Sequence, residues 1–206
     1  MTLVSRAKQR LLQKILWKNN MEPYHCVVLD DGYVKLFSMA PDGSGMQNVL
    51  NQHYGRVLKS SILSICRVHF AVKCPIAILL TMTRLHLVVD VSSAKRSAFN
   101  PTVEHIRSGN LENDNNIVES ISMTNESLLL NQKAYMEDNC DRFVASLTTP
   151  ISTYWEGIVY GDLSTWIEFA ESKSAPRIVA MYQDAIRNVL IAEYGNIYNY
   201  GKGFYK

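Results

Sequence analysis

The clearest pattern of apolar and polar positions runs through residues 67–74. Four apolar side chains alternate there with four that are charged, polar or small: Val68, Phe70, Val72 and Cys74 against Arg67, His69, Ala71 and Lys73. Such alternation places the two sets on opposite faces of an extended chain and predicts a strand with one buried face. Pro75 has no N–H to donate to a strand ladder, so we expect the strand to end there.

A turn signal lies upstream of this strand. Asp30, Asp31 and Gly32 separate two apolar runs. Glycine adopts a positive φ without a Cβ penalty, which suits a tight turn between two strands. The sequence therefore predicts a β-hairpin over residues 25–38 that joins the sheet of the 67–74 strand.

Two C-terminal stretches, residues 162–171 and 175–193, have the period of a helix. Apolar side chains recur there at spacings of three and four: Leu163, Trp166, Ile167 and Ala170, then Ile178, Met181, Tyr182, Ala185, Ile186 and Val189. We expect two amphipathic helices that pack on the sheet. The predicted fold class is α+β, with a central mixed or antiparallel sheet flanked by helices.

Two further segments are more polar. Residues 100–123 are rich in Asn, Asp, Glu and Ser, which predicts a surface loop or a partly disordered excursion. A helix is expected over residues 126–147, with Asn125 as its N-cap.

The N-terminal segment, residues 2–19, is predicted to form a basic amphipathic helix. An apolar stripe lies beside a basic one: Val4, Ala7, Leu11 and Ile15, then Arg6, Arg10, Lys14 and Lys18. Such a helix is suited to an acidic partner, a membrane surface or nucleic acid. The alternative is a helix that packs its apolar face and leaves its charges in water.

Composition narrows the class of protein. The chain has 206 residues, of which 47% are apolar, and this is enough for one domain over residues 1–206 with a buried core. A net charge of +2 is too small to indicate nucleic acid by itself. No secretory signal is visible, and the longest apolar run, residues 75–82, is too short to cross a bilayer. We expect a cytoplasmic protein without a transmembrane segment.

The cysteines and histidines form no recognisable metal site. Cys66 and His69 are close in sequence, but they would project from opposite faces of an extended strand. The four cysteines include no C-x-x-C pair, which favours reduced thiols. The sequence therefore predicts no metal.

Three segments resemble the flavin-dependent thymidylate synthases. A strand of that family reads approximately F-x-F-x-[IV]-K-x-P-I, and five residues match it: Phe70, Val72, Lys73, Pro75 and Ile76. Residues 28–40 are similar to the family's opening hairpin, V-L-D-x-G-[FY]-V-x-L, and residues 154–190 to its C-terminal pair of helices. The resemblance implies the fold of that family and its assembly as a homotetramer.

The family's catalytic signature, R-H-R-x-x-S-x-N-E-x-S-x-R-Y, is largely lost. Arg84 and Arg96 match its first and last arginines, but Leu85 and His86 stand where His-Arg is expected. Residues 54–67, where the family has a flavin-contacting H-x-x-P-F-[EH]-H motif, contain neither histidine nor acid. A nucleotide-binding arginine of the family falls near Ala170 or Glu171, where a carboxylate would repel a phosphate.

These departures predict a diverged homologue that lacks the dUMP-methylating reaction. It would act as an oligomeric nucleotide-binding, anion-binding or scaffold protein, with no catalytic residue and no cofactor. Arginine N–H groups and serine hydroxyls suit a phosphate, so the candidate substrate-binding residues are Arg84, Ser92, Ser93 and Arg96. These arginines are equally well explained as surface or salt-bridging residues.

Two alternatives stay open. The first is an active flavin-dependent thymidylate synthase, which converts dUMP to dTMP with folate and reduced FAD. The second is a nucleic-acid or protein-binding module that uses the N-terminal helix and the aromatic tail, residues 194–206.

The resemblance implies that the aromatic tail lies at a subunit interface. Five aromatic residues near the C-terminus are also expected to be exposed and available to such an interface: Trp155, Trp166, Tyr182, Tyr194 and Tyr198.

Overall fold

The computed structural model describes residues 24–45, 48, 63–84, 87–90, 94–106, 110–138, 140–173 and 175–203. The predicted N-terminal helix, residues 2–19, lies outside the described residues. None of the helices in the described part of the chain combines the length and the apolar character that a membrane span needs.

In the described part of the chain, six strands form one antiparallel sheet: β1 (His25–Val28), β2 (Gly32–Ala40), β3 (Arg67–Pro75), β4 (Val88–Asp90), β5 (Ala94–Ala98) and β6 (Thr153–Asp162). The spatial order is β1-β2-β3-β6, and both β4 and β5 pair with β6. β4 pairs with residues 158–160 and β5 with residues 153–155. The two short strands therefore follow one another along one edge, and the sheet has five strand positions.

Helices lie around this sheet, and seven of them have fully described bounds: α1 (Ile76–Arg84), α2 (Val103–Ile106), α3 (Leu111–Glu137), α4 (Arg142–Ser146), α5 (Leu163–Glu171), α6 (Arg177–Tyr194) and α7 (Asn196–Lys202). The α+β class with an antiparallel sheet and flanking helices is thus confirmed.

The core lies between β3 and the two C-terminal helices α5 and α6. Val68, Phe70, Val72 and Cys74 of β3 are all completely buried, as the alternating pattern predicts. Trp166 of α5 lies with its ring centroid 4.7 Å from that of Phe70 and donates a hydrogen bond from Nε1 to the carbonyl of Val68 across 3.1 Å. The predicted packing of these helices on the sheet is confirmed.

The hairpin turn forms where the sequence predicts it, but for a different reason. Leu29, not Gly32, adopts the positive φ, at 62°. Gly32 is needed because of its neighbours: a Cβ there would overlap the hydroxyl of Tyr182 and the carbonyl oxygen of Val28. Close approach of a helix to the hairpin therefore selects this glycine.

The prediction of a polar excursion over residues 100–123 is wrong for most of its length. Residues 103–106 form α2, and α3 begins at Leu111 with Asn110 as its N-cap, whose side chain accepts a hydrogen bond from the N–H of Asn113. The expected cap, Asn125, is buried in the middle of α3. The inward face of α3 is narrow and includes polar side chains, so it carries a weak apolar period.

The aromatic residues predicted to be exposed are instead in the core. Trp155, Trp166, Tyr182, Tyr194 and Tyr198 are each at most 5% exposed. Residues 194–203 complete α6 and form α7 on their own chain, because Tyr194, Ile197 and Tyr198 pack into the hydrophobic core. These side chains are unavailable to a neighbouring subunit, so they give no support to the predicted tetramer.

Candidate functional site

The residues predicted to bind a phosphate are only partly described. Arg84 is exposed at the C-terminal end of α1, and Arg96 lies within β5. Ser92 and Ser93 lie outside the described residues. A cation at the end of α1 is already favoured by the partial negative charge of the helix C-terminus.

The strand register separates the chain segments that carry these two arginines. Leu87, three residues after Arg84, packs against Gly161 at one end of β6. β5, which contains Arg96, pairs with Thr153 and Trp155 at the other end. At about 3.3 Å per residue, the two ends of β6 are roughly 20 Å apart. A shared anion site at Arg84 and Arg96 stays a prediction.

Glu171 occupies the region where the resemblance implies a nucleotide-binding arginine, and its carboxylate is bound within the chain. Its Oε1 accepts hydrogen bonds from the Tyr198 hydroxyl at 2.6 Å and from Nε of Arg187 at 3.1 Å. Its Oε2 lies 3.0 Å from Nζ of Lys202. Arg187 also contacts Asp184 and the carbonyl of Ala170. This position therefore ties α5, α6 and α7 together.

The charge state of Glu171 follows from these contacts. Burial alone would raise the pKa of this carboxyl, but hydrogen bonds from Tyr198 and Lys202 and the positive charges of Lys202 and Arg187 outweigh burial. The pKa of Glu171 is consequently held below its ordinary value of 4.5. The carboxylate is thus ionised in the fold, and its charge is paired with those of Arg187 and Lys202.

A cleft of about 770 Å³ opens between three parts of the fold. β1 and the turn after it form one wall, the segment 99–105 forms the second, and α6 forms the third. β1 is at one edge of the sheet and residue 99 directly follows β5 at the other. The sheet is therefore curled so that its two edges approach one another, and we call this space the edge cleft.

Two histidines line the edge cleft. His105 Nδ1 accepts a hydrogen bond from the Thr102 N–H at 3.0 Å, so the neutral ring carries its proton on Nε2. The Phe99 ring lies edge-on to His105, with centroids 5.3 Å apart. His25 stacks edge-on against Tyr33, and its buried Nε2 has no hydrogen-bond partner within the described residues.

A row of polar side chains crosses the sheet beside the edge cleft. Tyr33, Lys73 and Glu156 are direct cross-strand neighbours on β2, β3 and β6. The Tyr33 hydroxyl donates to Glu156 Oε1 at 2.9 Å. The buried ammonium of Lys73 pairs with Asp31 and lies 5.4 Å from the centroid of the Tyr154 ring. These interactions make the row a structural network.

The described residues offer little for nucleophilic catalysis. Burial raises the pKa of Cys74 to about 12 and also raises the pKa values of Cys26 and Cys66, which keeps these thiols protonated. Ser38 Oγ lies 3.0 Å from His69 Nδ1, but the two are exposed cross-strand neighbours. No carboxylate is described as orienting His69 in the way that a catalytic triad requires.

Metal ligands are also dispersed. Within the described residues, no three side chains of His, Cys, Asp or Glu form a group that would hold a metal ion. Cys66 is buried, and its Sγ lies 2.9 Å from the Tyr194 hydroxyl, whereas His69 is on the other face of β3. The pairing of Cys66 with Tyr194 gives this thiol a structural partner.

No known family model and no curated protein sequence matches this chain. The resemblance to the flavin-dependent thymidylate synthases accordingly stays a prediction carried by residues 28–40, 70–76 and 154–190.

Sequence reasoning missed the edge cleft. Its polar residues come from segments far apart in the chain, and their spacing carries no motif. The nearest signal is the cluster of hydrogen-bonding side chains from Asn100 to His105, a stretch whose composition predicts a surface loop. A prediction would also need the curl of the sheet, which brings β1 close to residue 99.

Proposed function

We propose that this chain is a diverged relative of the flavin-dependent thymidylate synthases that lacks the dUMP-methylating reaction. In this proposal it acts as an oligomeric nucleotide-binding, anion-binding or scaffold protein. The observation that carries the proposal is the binding of Glu171 by Tyr198, Arg187 and Lys202. Where the resemblance implies a cation for a nucleotide phosphate, this chain has an ionised carboxylate that stabilises its own helices.

The order of elements supports the same proposal. A hairpin, a strand ending in Lys73, Cys74 and Pro75, and a C-terminal pair of helices occur in the order that the resemblance implies. They form one sheet with one core, so the three similar segments are joined structurally. An unrelated binding module would have no reason to combine all three.

The proposed absence of the dUMP-methylating reaction is tested with flavin and substrate. The purified chain should be colourless, and added FAD should leave its melting temperature unchanged. Incubation with dUMP, methylene-folate, a reductant and FAD should give no dTMP. A visible flavin band near one equivalent per chain, together with dTMP formation, would establish the active enzyme instead.

The anion site is tested by nucleotide binding. A nucleoside monophosphate that binds at Arg84 or at Arg96 should raise the melting temperature, and alanine at the arginine that it contacts should reduce that shift. Lys173→Ala, which removes an exposed positive charge before α6, is the matched control and should leave the shift unchanged. An equal shift in all variants would contradict a site at these arginines.

The oligomer is tested by light scattering across micromolar concentrations. The proposal expects the mass of a tetramer. A mass of 23.4 kDa, that of one chain, at all concentrations would contradict an oligomeric scaffold.

A further inference from the structure

We infer that the edge cleft binds an uncharged planar heterocycle of the nucleobase or nucleoside class. This site is distinct from the anion site proposed at Arg84 and Arg96. It rests on the geometry of β1, the segment 99–105 and α6, and it stands whether or not the chain is related to the thymidylate synthases.

The size and the apolar surfaces of the edge cleft suit a small ring system. Its volume of about 770 Å³ falls within the roughly 300–1,000 Å³ that is usual for small-molecule sites. Apolar side chains come from all three walls: Leu29, Phe99, Met181 and Ala185. Such surfaces can cover the two faces of a planar ring and leave its edge for polar groups.

The amides that line the edge cleft are suited to the edge of a heterocycle. Asn100 Oδ1 accepts a hydrogen bond from Asn125 Nδ2 at 2.8 Å, so this contact orients the Asn100 amide. Its NH₂ group is then a donor of fixed direction. Asn188 is an exposed residue of α6 in the opposite wall. His105 adds an Nε2–H donor when neutral.

The free edge of β1 supplies backbone groups to the same space. The Leu36 N–H donates to the Tyr24 carbonyl at 3.0 Å, and the alternation of an antiparallel ladder then directs the N–H and C=O groups of His25 and Val27 away from β2. No described strand pairs with that side of β1. Alternating backbone donors and acceptors match the alternating polar edge of a nucleobase.

The charges of the edge cleft exclude a phosphate as its preferred ligand. Its described lining includes the carboxylates of Asp30 and Asp184 but neither lysine nor arginine. The Tyr154 hydroxyl donates to Asp30, and Arg187 pairs with Asp184. Both carboxylates are thus held in place, and each would repel a phosphate that approaches.

Binding is measured by titration calorimetry of the full chain with adenosine, guanosine, cytidine and uridine, and of its Arg84→Ala/Arg96→Ala variant with the matching monophosphates, so that the anion site proposed at these arginines does not contribute. At least one nucleoside should bind with a submillimolar dissociation constant, and its monophosphate should bind about tenfold more weakly. Absence of binding by all four nucleosides at millimolar concentration would overturn the inference. A monophosphate that binds as tightly as its nucleoside would do the same.

Variants locate the site. Asn188→Ala and His105→Ala should each weaken nucleoside binding about threefold to tenfold, as the loss of one hydrogen bond implies. Asp184→Asn should reduce the difference in affinity between a nucleoside and its monophosphate. The control, Asn116→Ala on the exposed surface of α3, should bind as the unmodified chain does. Unchanged affinity in both Asn188→Ala and His105→Ala would refute the placement.

Two measurements distinguish loss of the edge-cleft site from misfolding of a variant and from binding at the proposed anion site. Asn188 is exposed, so its alanine variant should retain the melting temperature of the unmodified chain, and it decides the outcome if His105→Ala does not fold. Arg96→Ala should leave nucleoside affinity unchanged. A loss of nucleoside binding in Arg96→Ala would assign the ligand to the proposed anion site and overturn the inference.

Discussion

The hydroxyl of Tyr182 donates a hydrogen bond to the backbone carbonyl of Lys73 across 3.0 Å. This contact joins the middle of α6 to the end of the central strand β3. The Tyr182 side chain is completely buried, and this burial, more than any nearby charge, raises its pKa. The neutral hydroxyl is therefore the form that the fold requires.

Gly32→Ala should destabilise the chain strongly, because the added Cβ would meet both the Tyr182 hydroxyl and the Val28 carbonyl oxygen. We expect a loss of about 2–4 kcal/mol in the free energy of unfolding, measured by urea titration. Gly203→Ala is the matched control, since no heavy atom lies within 4 Å of its new Cβ. Equal stability of the two variants would mean that Tyr182 does not pack against the hairpin.

Asp31→Asn should destabilise the chain by about 1–2 kcal/mol. It removes the carboxylate that compensates the buried ammonium of Lys73, and the loss is moderated because the Asp31 side chain is 52% exposed. In a Lys73→Met background the same change should cost little, because no buried charge is left unpaired. A double-mutant cycle by chemical denaturation measures the difference, and a coupling energy of zero would argue against the ion pair.

Asn125→Leu should loosen the wall of the edge cleft. Asn125 Nδ2 donates to the Phe99 carbonyl at 3.2 Å, and its Oδ1 accepts from Ser152 Oγ at 2.7 Å. Removal of this buried network should cost about 1–3 kcal/mol and increase amide hydrogen exchange in residues 99–102. Asn116→Ala is the control on the same helix. Unchanged exchange would show that Asn125 does not hold this segment.

Stability should fall in alkali. Burial, then the hydrogen bond to Glu156 and its charge, raise the pKa of Tyr33 to about 12 from its ordinary 10.0. A group with a raised pKa in the fold contributes stability that is complete below pH 10 and is lost as the pH rises through 12. Tyr33→Phe should reduce this loss in urea titrations, and Tyr135→Phe, at an exposed position, should not.

The loss of stability at low pH should depend on Glu171. Its pKa is lowered in the fold, so its contribution is complete above the ordinary value of 4.5 and is lost as the pH falls through the folded value. Glu171→Gln should lower stability by about 1–3 kcal/mol at neutral pH. Its stability curve should converge with that of the unmodified chain in acid. Glu168→Gln, exposed on the same helix, is the control; parallel curves for Glu171→Gln would contradict the network.

The elements that sequence alone predicts well are those with a strong apolar period. Val68 and Phe70 on β3 and Ile167 on α5 bury the faces that their spacing predicts, since water exclusion dominates there. The hairpin location also follows from its turn residues. Its conformational detail does not, because the positive φ falls on Leu29 and the role of Gly32 depends on a distant tyrosine.

The incorrect predictions for α3 and for the C-terminal tyrosines have a common physical cause. The inward positions of α3 include Asp114 and Asn125, which are both buried, and the Asn125 side chain is satisfied by the Phe99 carbonyl and by Ser152. Polar composition predicts exposure for such residues, so the first part of α3, residues 111–123, is predicted as part of a loop, whereas its second part lies within the helix predicted over residues 126–147. Tyr194 and Tyr198 are likewise predicted to be exposed and are buried. The Tyr194 hydroxyl pairs with Cys66, the Tyr198 hydroxyl donates to Glu171, and both rings pack in the core. Polar partners distant in sequence decide both cases.

The curl of the sheet gives the edge cleft a particular relation to folding. Its walls contain His25 and Phe99, which lie far apart in the chain and on opposite edges of the sheet. Contacts of such long sequence separation carry a high loop-closure cost until the strands between them have paired. A partly folded chain has no such cleft. A molecule bound there would contact both β1 and the segment after β5, so its binding would indicate that the complete sheet has formed.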